Sequence, residues 1–390
     1  MAGALVLAGC SSTDTDQEAT TAANVDRTVH TENPQPTAVD VSDMNVPNSF
    51  SDMTVIDPEW TTPAQYASGV YVGAKDNGSA LEFSAISVTG DVLWTVERPR
   101  SCTGFTLGHT SEGGAIAVLL DTQTTDEALS QNTATAYDLH TGEVVWGPVD
   151  TPGPYQGPGL VFAAPPEEFM GEGGARVALN PDDGSVILDE ETGLRILGDF
   201  SGTVLYVEGN TLNARASTSP EIRWSIELDE NGWDGTELSG SVDEMAADNY
   251  ALLSVSSGPG PVIDLRTGRV IIERAVDMGE DPMSGTLIAL DDAGLHSFDA
   301  DGNLLWSQAM TDDTSLGAVG GVFAYLRIGD SVRAHNVLTG AVATAYVDGT
   351  PGTILVPAHI SPEGAGLLYA EDGGLIMATI EAMPGIHPGP

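Results

Sequence analysis

The sequence contains few cysteines, few basic residues and no long apolar run. Of its 390 residues, two are cysteines and 13 are lysine or arginine, with Lys75 as the single lysine, whereas 57 are acidic. The net charge of −44 excludes general nucleic-acid binding, which requires cations to neutralise phosphates, and disfavours unaided adhesion to anionic lipid. No segment approaches the roughly 20 apolar residues that a membrane-spanning helix needs. The acidic excess is explained best by a solvated, self-repelling surface, with docking of a basic partner or loose binding of divalent cations as the alternative.

Groups that carry out catalysis are also scarce. Cys10 and Cys102 are too far apart in the sequence to form a vicinal pair, and the seven histidines show no close spacing such as H-E-x-x-H. DADGN at 299–303 offers oxygen donors at alternate positions, but Leu304 and Met310 stand where an EF-hand loop needs glycine and glutamate. We therefore interpret DADGN as a hairpin turn. No G-x-S-x-G elbow occurs. The sequence predicts no catalytic, metal-binding or cofactor-binding residues, no bound cofactor and no enzyme activity.

Short strands separated by turns account for most of the remaining pattern. Helical periodicity is nearly absent, and 46 glycines and 23 prolines punctuate the chain, as is typical of an all-β protein. The segment AYDLHTGEVVW at 136–146 contains two apolar runs around a Thr-Gly turn, which is the pattern of an antiparallel hairpin. Related segments recur about every 40 residues, the length of one four-stranded propeller blade. Their turn residues are Gly90, Gly142, Gly184, Pro220, Gly268, Gly302, Gly340 and Gly374.

Tryptophan follows the turn at a fixed distance. Four of the six tryptophans lie four positions after the turn residue. Glycine tolerates the positive φ of a tight turn, and an indole can fill the seam between two twisted sheets, so that each blade closes its core against its neighbours. We expect structural roles for the residues of this repeat motif, namely Trp94, Asp138, Thr141, Gly142, Trp146, Trp224, Thr267, Gly268, Gly302, Trp306, Thr339 and Gly340.

The string A-x-D-x-x-T-G-x-x-x-W, complete between Ala136 and Trp146, resembles the repeat of the pyrroloquinoline-quinone-like (PQQ-like) β-propellers. The resemblance extends from about Trp60 to the C-terminus. It implies an all-β fold, a single propeller of four-stranded blades over residues 53–390. Enzymes of this family commonly use a vicinal cysteine pair, a calcium-bound quinone and a catalytic aspartate, and no residues here match that set.

The number of blades follows from the number of turns. Eight turn motifs favour eight blades, with residues 53–56 supplying the strand that the last blade lacks. Seven blades are the alternative, if ALNPDDGSVIL at 178–188 belongs with the segment that follows it.

The first 52 residues differ from the rest in composition. Residues 7–10, LAGC, resemble the lipobox of bacterial lipoproteins, in which the cysteine, here Cys10, carries the lipid after the signal peptide is cleaved. We assign residues 1–10 to a signal-peptide remnant that lacks the usual basic residues. Residues 11–52 are rich in Thr, Asp, Asn, Ala and Pro, and we predict a disordered acidic tether with a reach of about 35 Å.

These features together predict an exported, non-catalytic propeller that is anchored by lipid to the outer face of the cell membrane. There it would act as an interaction scaffold or assembly factor for a membrane protein complex on the outer face of the cytoplasmic membrane. The plan is similar to that of the outer-membrane-assembly propeller lipoproteins of Gram-negative bacteria, although the lysine-poor composition and long tether favour a Gram-positive-type envelope protein. One alternative is a quinoprotein-type sugar or alcohol dehydrogenase. The other is a module that binds cell-wall glycan or a small molecule through Trp60 and Trp233.

Overall fold

The computed structural model describes eight stretches of the chain, residues 25–101, 104–123, 131–165, 174–240, 247–329, 331–347, 350–370 and 374–381. The described residues form an all-β structure with very little helix. Consecutive antiparallel sheets follow one another in chain order and contact their neighbours in a closed ring. The protein is therefore an eight-bladed β-propeller, and the predicted fold class and blade number are confirmed.

In blades 1 to 4, the first strand lies nearest the central axis and the last strand lies at the rim. Blade 1 consists of β4 (Gln65–Ala67), β5 (Val70–Asp76), β6 (Leu81–Ser87) and β7 (Val92–Arg98). Blade 2 consists of β8 (Phe105–His109), β9 (Ala115–Gln123), β10 (Gln131–Asp138) and β11 (Val144–Thr151). Blade 3 has three strands, β12 (Val161–Ala163), β13 (Arg176–Leu179) and β14 (Val186–Asp189). Blade 4 consists of β15 (Arg195–Phe200), β16 (Thr203–Glu208), β17 (Thr211–Ala216) and β18 (Ile222–Glu227).

Blades 5 to 7 repeat the same four-strand order. Blade 5 consists of β19 (Leu238–Gly240), β20 (Tyr250–Val255), β21 (Gly260–Asp264) and β22 (Val270–Ala275). Blade 6 consists of β23 (Asp277–Asp281), β24 (Thr286–Asp291), β25 (Gly294–Phe298) and β26 (Leu304–Gln308). Blade 7 consists of β27 (Thr314–Gly320), β28 (Phe323–Ile328), β29 (Ser331–Asn336) and β30 (Val342–Tyr346). The helical elements of the described residues are α1 (Leu228–Asn231) and two 3₁₀ turns (Asn48–Phe50 and Glu190–Thr192).

Blade 8 combines the two ends of the described chain. Its inner strands are β32 (Val356–Ile360), β33 (Gly366–Tyr369) and β34 (Leu375–Thr379), and its outer strands are β3 (Thr54–Asp57) and β1 (Thr37–Ala38). β3 pairs antiparallel with β34, with Ile56 opposite Met377. This pairing confirms the prediction that a strand near residues 53–56 completes the last blade.

One turn motif differs from the others in its position within the blade. Seven of the eight turn residues lie between the last two strands of a blade, whereas Gly374 lies between β33 and β34, one hairpin earlier. The reason is topological, because β3 fills the position next to β34 in blade 8 and no local hairpin can connect β34 to it. The count of eight was correct although this motif is not equivalent to the others.

The hydrophobic core is divided among the seams of the ring. Each of eight clusters of buried residues combines side chains from two adjoining blades, including the closing pair of blades 8 and 1. In the closing seam, Ile56, Leu367 and Met377 from blade 8 pack with Tyr71 and Ile86 from blade 1. A single blade thus buries its apolar faces only when both neighbours are present.

The segment 25–52 differs from the predicted disordered tether. His30 forms a backbone bridge with Thr95 on the outer strand of blade 1, and Arg27 Nε lies 2.5 Å from Asp121 Oδ2 in blade 2. The segment then adds β1 to blade 8, and β2 (Met44–Asn45) pairs in parallel with β31 (Thr353–Ile354). The apolar residues Val39, Val41 and Phe50, together with free strand edges, supply the packing that the polar composition did not indicate. Residues 11–24 of the predicted tether lie outside the described residues.

Candidate functional site

The four repeat tryptophans bind the blade that follows their own. Each indole Nε1 donates a hydrogen bond of 2.8–2.9 Å to a backbone carbonyl in the next blade. The donor and acceptor pairs are Trp94 and Leu139, Trp146 and Pro181, Trp224 and Leu265, and Trp306 and Val337. The tryptophans therefore hold consecutive blades together by both packing and hydrogen bonding.

The turn glycine of the next blade lies directly against each of these indoles. A Cβ atom at Gly142, Gly184, Gly268 or Gly340 would lie 2.8–3.0 Å from the ring of the preceding tryptophan. The same glycines have φ values of 71–75°, in a region that other residues rarely adopt. Tryptophan and the following glycine thus form one seam contact.

The Asp and Thr positions of the motif shape the turn itself. Asp138 Oδ1 accepts hydrogen bonds from the backbone nitrogen and the hydroxyl of Thr141 at 2.8 and 2.9 Å. Asn336 holds Thr339 in the same way, and Thr267 Oγ1 accepts from the backbone nitrogen of Arg269 at 3.3 Å. In DADGN, Asp299 accepts from the backbone of Asp301 and Asn303, so this segment is a hairpin turn between β25 and β26.

Gly302 lies in a seam without tryptophan. Ile272 stands at the tryptophan position of blade 5, and a Cβ at Gly302 would lie 2.7 Å from Ile271 Cδ1. Arg269 donates to the carbonyl oxygens of Asp301 at 2.7 Å and Gly302 at 3.0 Å. An aliphatic side chain and an arginine therefore replace the indole here.

A cavity of about 470 Å³ lies at the centre of the ring, where the first strands of the blades converge. Its size is within the range of small-molecule sites. Most of its wall comes from the ends of innermost strands and the turns after them, including Gln65, Tyr66, His109, Asp199 and Glu363. Four carboxylates from four blades line it, namely Asp199, Asp248, Asp277 and Glu363. No lysine or arginine is among the described residues of the wall.

Asp199 is the most buried of the four carboxylates, with 5% of its surface exposed. The backbone nitrogens of Gly202 and Leu160 donate to the carboxyl group, whereas Oδ1 has no hydrogen-bond partner within the described chain. Burial raises the pKa of Asp199 to about 6, because the charged form loses its hydration. Gly159 packs against this residue so closely that a Cβ there would lie 2.3 Å from the Asp199 carbonyl oxygen.

A second group of polar residues lies where blade 1 meets blade 8. The Tyr66 hydroxyl accepts from Gly69 N at 3.0 Å and donates to Glu363 Oε2 at 2.7 Å. Burial, followed by the nearby Glu363 carboxylate, raises the pKa of Tyr66, so the phenol remains protonated. His359 Nδ1 lies 2.9 Å from the Tyr71 hydroxyl, and burial lowers the pKa of His359 to about 3. The imidazole is therefore neutral at physiological pH and adds no positive charge near the cavity.

The cavity does not fit the quinone of the resembling enzymes. Pyrroloquinoline quinone is a tricarboxylate, and the wall carries four acidic residues without a lysine or arginine to neutralise its charge. The described residues also contain no group of three or more His, Cys, Asp or Glu arranged to hold a metal ion. The geometry gives no support to the dehydrogenase alternative.

The rim of the ring presents a repeated apolar position. The second residue after the turn is aliphatic and 50–58% exposed in five blades, at Val144, Val186, Ile222, Leu304 and Val342. Each lies in the outermost strand of its blade, and in blades 2 to 7 that strand pairs on one side only within the described chain. Segment 25–52 adds backbone pairs to the rims of blades 1 and 8. An arc of exposed strand edges with apolar side chains remains.

The tryptophans named for glycan binding do not form an exposed aromatic surface. Trp60 is 6% exposed, donates from Nε1 to Ser84 Oγ at 2.7 Å and packs against Gly73. Trp233 is partly buried against the core of blades 4 and 5. Sequence spacing identified them as outside the repeat but could not show their burial. Cys10 and Cys102 both lie outside the described residues.

The fold and its seams define the class of protein, an eight-bladed propeller joined by repeated tryptophan–glycine contacts. A family model described as "Outer membrane protein assembly factor BamB" matches residues 130–292, less than half of the chain, and supports the PQQ-like repeat over that part. A comparison with curated proteins found no match. Among described residues, no helix has the length and apolar character needed to cross a bilayer.

Several solved structures are distantly similar. BamB from Moraxella catarrhalis has 15% identity and a TM-score of 0.44, with 86% of this chain and 98% of that chain covered. The computationally designed Ika8 protein has 12% identity and a TM-score of 0.39, with 90% and 98% covered. The propeller domain of Cps50 (Swd1) from Myceliophteria thermophila has 10% identity and a TM-score of 0.40, with 83% and 97% covered. These likenesses decide nothing about function.

Proposed function

We propose that this protein is a non-catalytic interaction scaffold or assembly factor that serves a membrane protein complex in the cell envelope. The observation that carries the proposal is the arc of exposed strand edges in blades 2 to 7, with its five equivalent aliphatic residues. Exposed edges accept a strand or segment from a partner by backbone pairing, and exposed apolar side chains add affinity. The match to a family model named for an assembly factor supports this function over residues 130–292.

The proposal includes export and attachment by lipid at Cys10, with the ring held at the outer face of the cytoplasmic membrane. Its support is the lipobox resemblance of residues 7–10. The net charge of −44 fits this arrangement, because a strongly acidic ring stays away from anionic lipid unless an anchor retains it.

The test is crosslinked affinity purification of the full chain from its native membranes. One variant combines Val144→Ser, Ile222→Ser and Leu304→Ser at the rim, and a second carries Cys10→Ala. The matched control is Met283→Ser, which changes a 67% exposed apolar residue outside the outermost strands. We expect one defined set of membrane proteins with the wild type and the control, and its loss with the rim variant. Recovery of the propeller alone, or equal recovery with the rim variant, would contradict a scaffold that acts through its rim.

A further inference from the structure

The central cavity has a chemical character that the scaffold function does not require. Asp199, Asp248, Asp277 and Glu363 come from blades 4, 5, 6 and 8, so the fold brings four distant carboxylates to one place. The Tyr66 hydroxyl donates a 2.7 Å hydrogen bond to Glu363 Oε2, which fixes this carboxylate in the cavity wall. Charges of one sign that line a cavity reinforce one another, so the four carboxylates together give the cavity a negative potential.

Asp199 adds a separate observation, a buried carboxylate oxygen without a hydrogen-bond partner in the described chain. It is 95% buried at the cavity wall, and one of its carboxylate oxygens lacks a hydrogen-bond donor within the described chain. A buried carboxylate oxygen without a partner is costly, and native proteins satisfy nearly all such atoms. The backbone nitrogens of Gly202 and Leu160 act to lower the pKa of Asp199, against the larger effect of burial, and neither satisfies Oδ1. A donor supplied by a ligand would satisfy the remaining oxygen.

A second buried polar residue of the cavity wall is Tyr250. It lines the same cavity, is 1% exposed, and its hydroxyl has no hydrogen-bond partner among the described residues. The Arg266 guanidinium lies 6.0 Å from the centre of its ring, yet Arg266 is paired with Asp264 at 2.8 Å and does not line the cavity. Among the described residues of the wall, four carboxylates therefore stand against one histidine, His109, and no lysine or arginine.

We propose that the central cavity binds a cationic nitrogen group, a primary ammonium or a guanidinium, that pairs with Asp199 and with the carboxylates around it. Charge-assisted hydrogen bonds from such donors to carboxylates are among the strongest in proteins. A volume of about 470 Å³ admits a free polyamine or a lysine or arginine side chain of an inserted peptide. The site is independent of the rim, so either proposal can fail without the other.

Isothermal titration calorimetry of the full chain at about 0.15 M salt, which screens distant surface charges, tests the proposal. The probes are spermidine, an arginine-containing tripeptide with blocked ends, and the same tripeptide with glutamine in place of arginine. We expect saturable binding of at least one cationic probe and none of the glutamine peptide. Binding of spermidine alone assigns the site to a free amine, and binding of the arginine peptide alone assigns it to a side chain.

Two variants and a matched control decide whether the cavity is responsible. Asp199→Asn and Glu363→Gln each remove one charge from the wall, and Asp150→Asn removes one from an exposed position on the rim of blade 2. We expect Asp199→Asn to weaken binding at least about tenfold, in line with loss of a charged hydrogen bond, and Asp150→Asn to leave it unchanged. Absence of binding by both cationic probes, or equal weakening by Asp199→Asn and Asp150→Asn, would overturn the proposal. Glu363→Gln repeats the test at a second position, with the same expected loss.

Discussion

The indole of Trp224 in blade 4 lies against Gly268 in blade 5, and its Nε1 donates a 2.8 Å hydrogen bond to the carbonyl oxygen of Leu265. A Cβ atom at Gly268 would lie 2.8 Å from two atoms of the indole, and the glycine has a φ of 75°. The turn therefore requires glycine for two separate reasons, one in the backbone and one in the packing between blades.

Replacing Gly268 with alanine should destabilise the ring. The strained φ and the contact with Trp224 together should lower the free energy of unfolding by about 2–4 kcal/mol. Chemical denaturation followed by tryptophan fluorescence measures the loss.

Gly113→Ala separates the cost of the strained backbone from the cost of the contact with the indole. Gly113 has a φ of 84°, but nothing lies within 4 Å of the position that its Cβ would take. This variant should show only the backbone cost, about 1 kcal/mol. Equal losses for Gly113→Ala and Gly268→Ala would mean that contact between indole and glycine contributes nothing to the seam.

The repeat was predictable because one local pattern recurs in four of the eight blades, with a turn residue four positions before a tryptophan. A turn glycine and a tryptophan four residues later are close in sequence, and the physical reason for each applies wherever the pair occurs. The sequence also indicated the closing strand near residues 53–56, because the last blade lacked a partner. The different position of Gly374 could not be seen in advance, because a hairpin in a closing blade looks the same in sequence as one in any other blade.

The cavity was not predictable, because the residues that line it are far apart in the sequence. Asp199, Asp248, Asp277 and Glu363 lie on different blades and share no motif, so only the closed ring brings them together. Burial at Trp60 and the packing of segment 25–52 also depend on contacts between distant parts of the chain. Composition reports the average environment of a segment and carries no record of such contacts.

Trp94 should contribute more to stability than the other repeat tryptophans. It is 0% exposed and joins blade 1 to blade 2, whereas Trp306 in the same position of blade 6 is only partly buried. Trp94→Ala should lower the free energy of unfolding by about 3–5 kcal/mol, the usual cost of removing a buried indole. Trp306→Ala should cost clearly less in the same denaturation experiment. A larger loss for Trp306→Ala would show that seam strength does not follow burial.

Removal of β3 should open the ring. Val55 and Ile56 are 3% and 6% exposed, and β3 covers the edge of β34. A chain that begins at Trp60 loses this strand, whereas a chain that begins at Asp52 keeps it and loses only the earlier segment. The shorter chain should self-associate through the free β34 edge and unfold at a lower temperature. Size-exclusion chromatography and thermal unfolding compare the two, and identical behaviour would mean that β3 is not needed for closure.

Asp199→Asn should stabilise the protein at neutral pH while it weakens the proposed cation binding. Burial raises the pKa of Asp199 to about 6, so the folded state binds the proton more tightly than the unfolded state does. The stability that this group contributes is present below about pH 3.9, the ordinary aspartate value, and is lost as the pH rises to about 6. Above pH 6 the ionised carboxylate costs about 3 kcal/mol, a cost that the neutral amide avoids.

The difference in unfolding free energy between Asp199→Asn and wild type should therefore be small near pH 4 and reach about 3 kcal/mol at pH 7.5, without any cation present. Urea denaturation across this range measures it, with Asp150→Asn as the control because that exposed carboxylate should give no such trend. A saturating cationic ligand should stabilise only the wild type. It should therefore reduce the difference in unfolding free energy between the two proteins at neutral pH. A variant less stable than wild type at pH 7.5 would show that the Asp199 carboxylate has a stabilising partner and that the cavity wall is complete without a ligand.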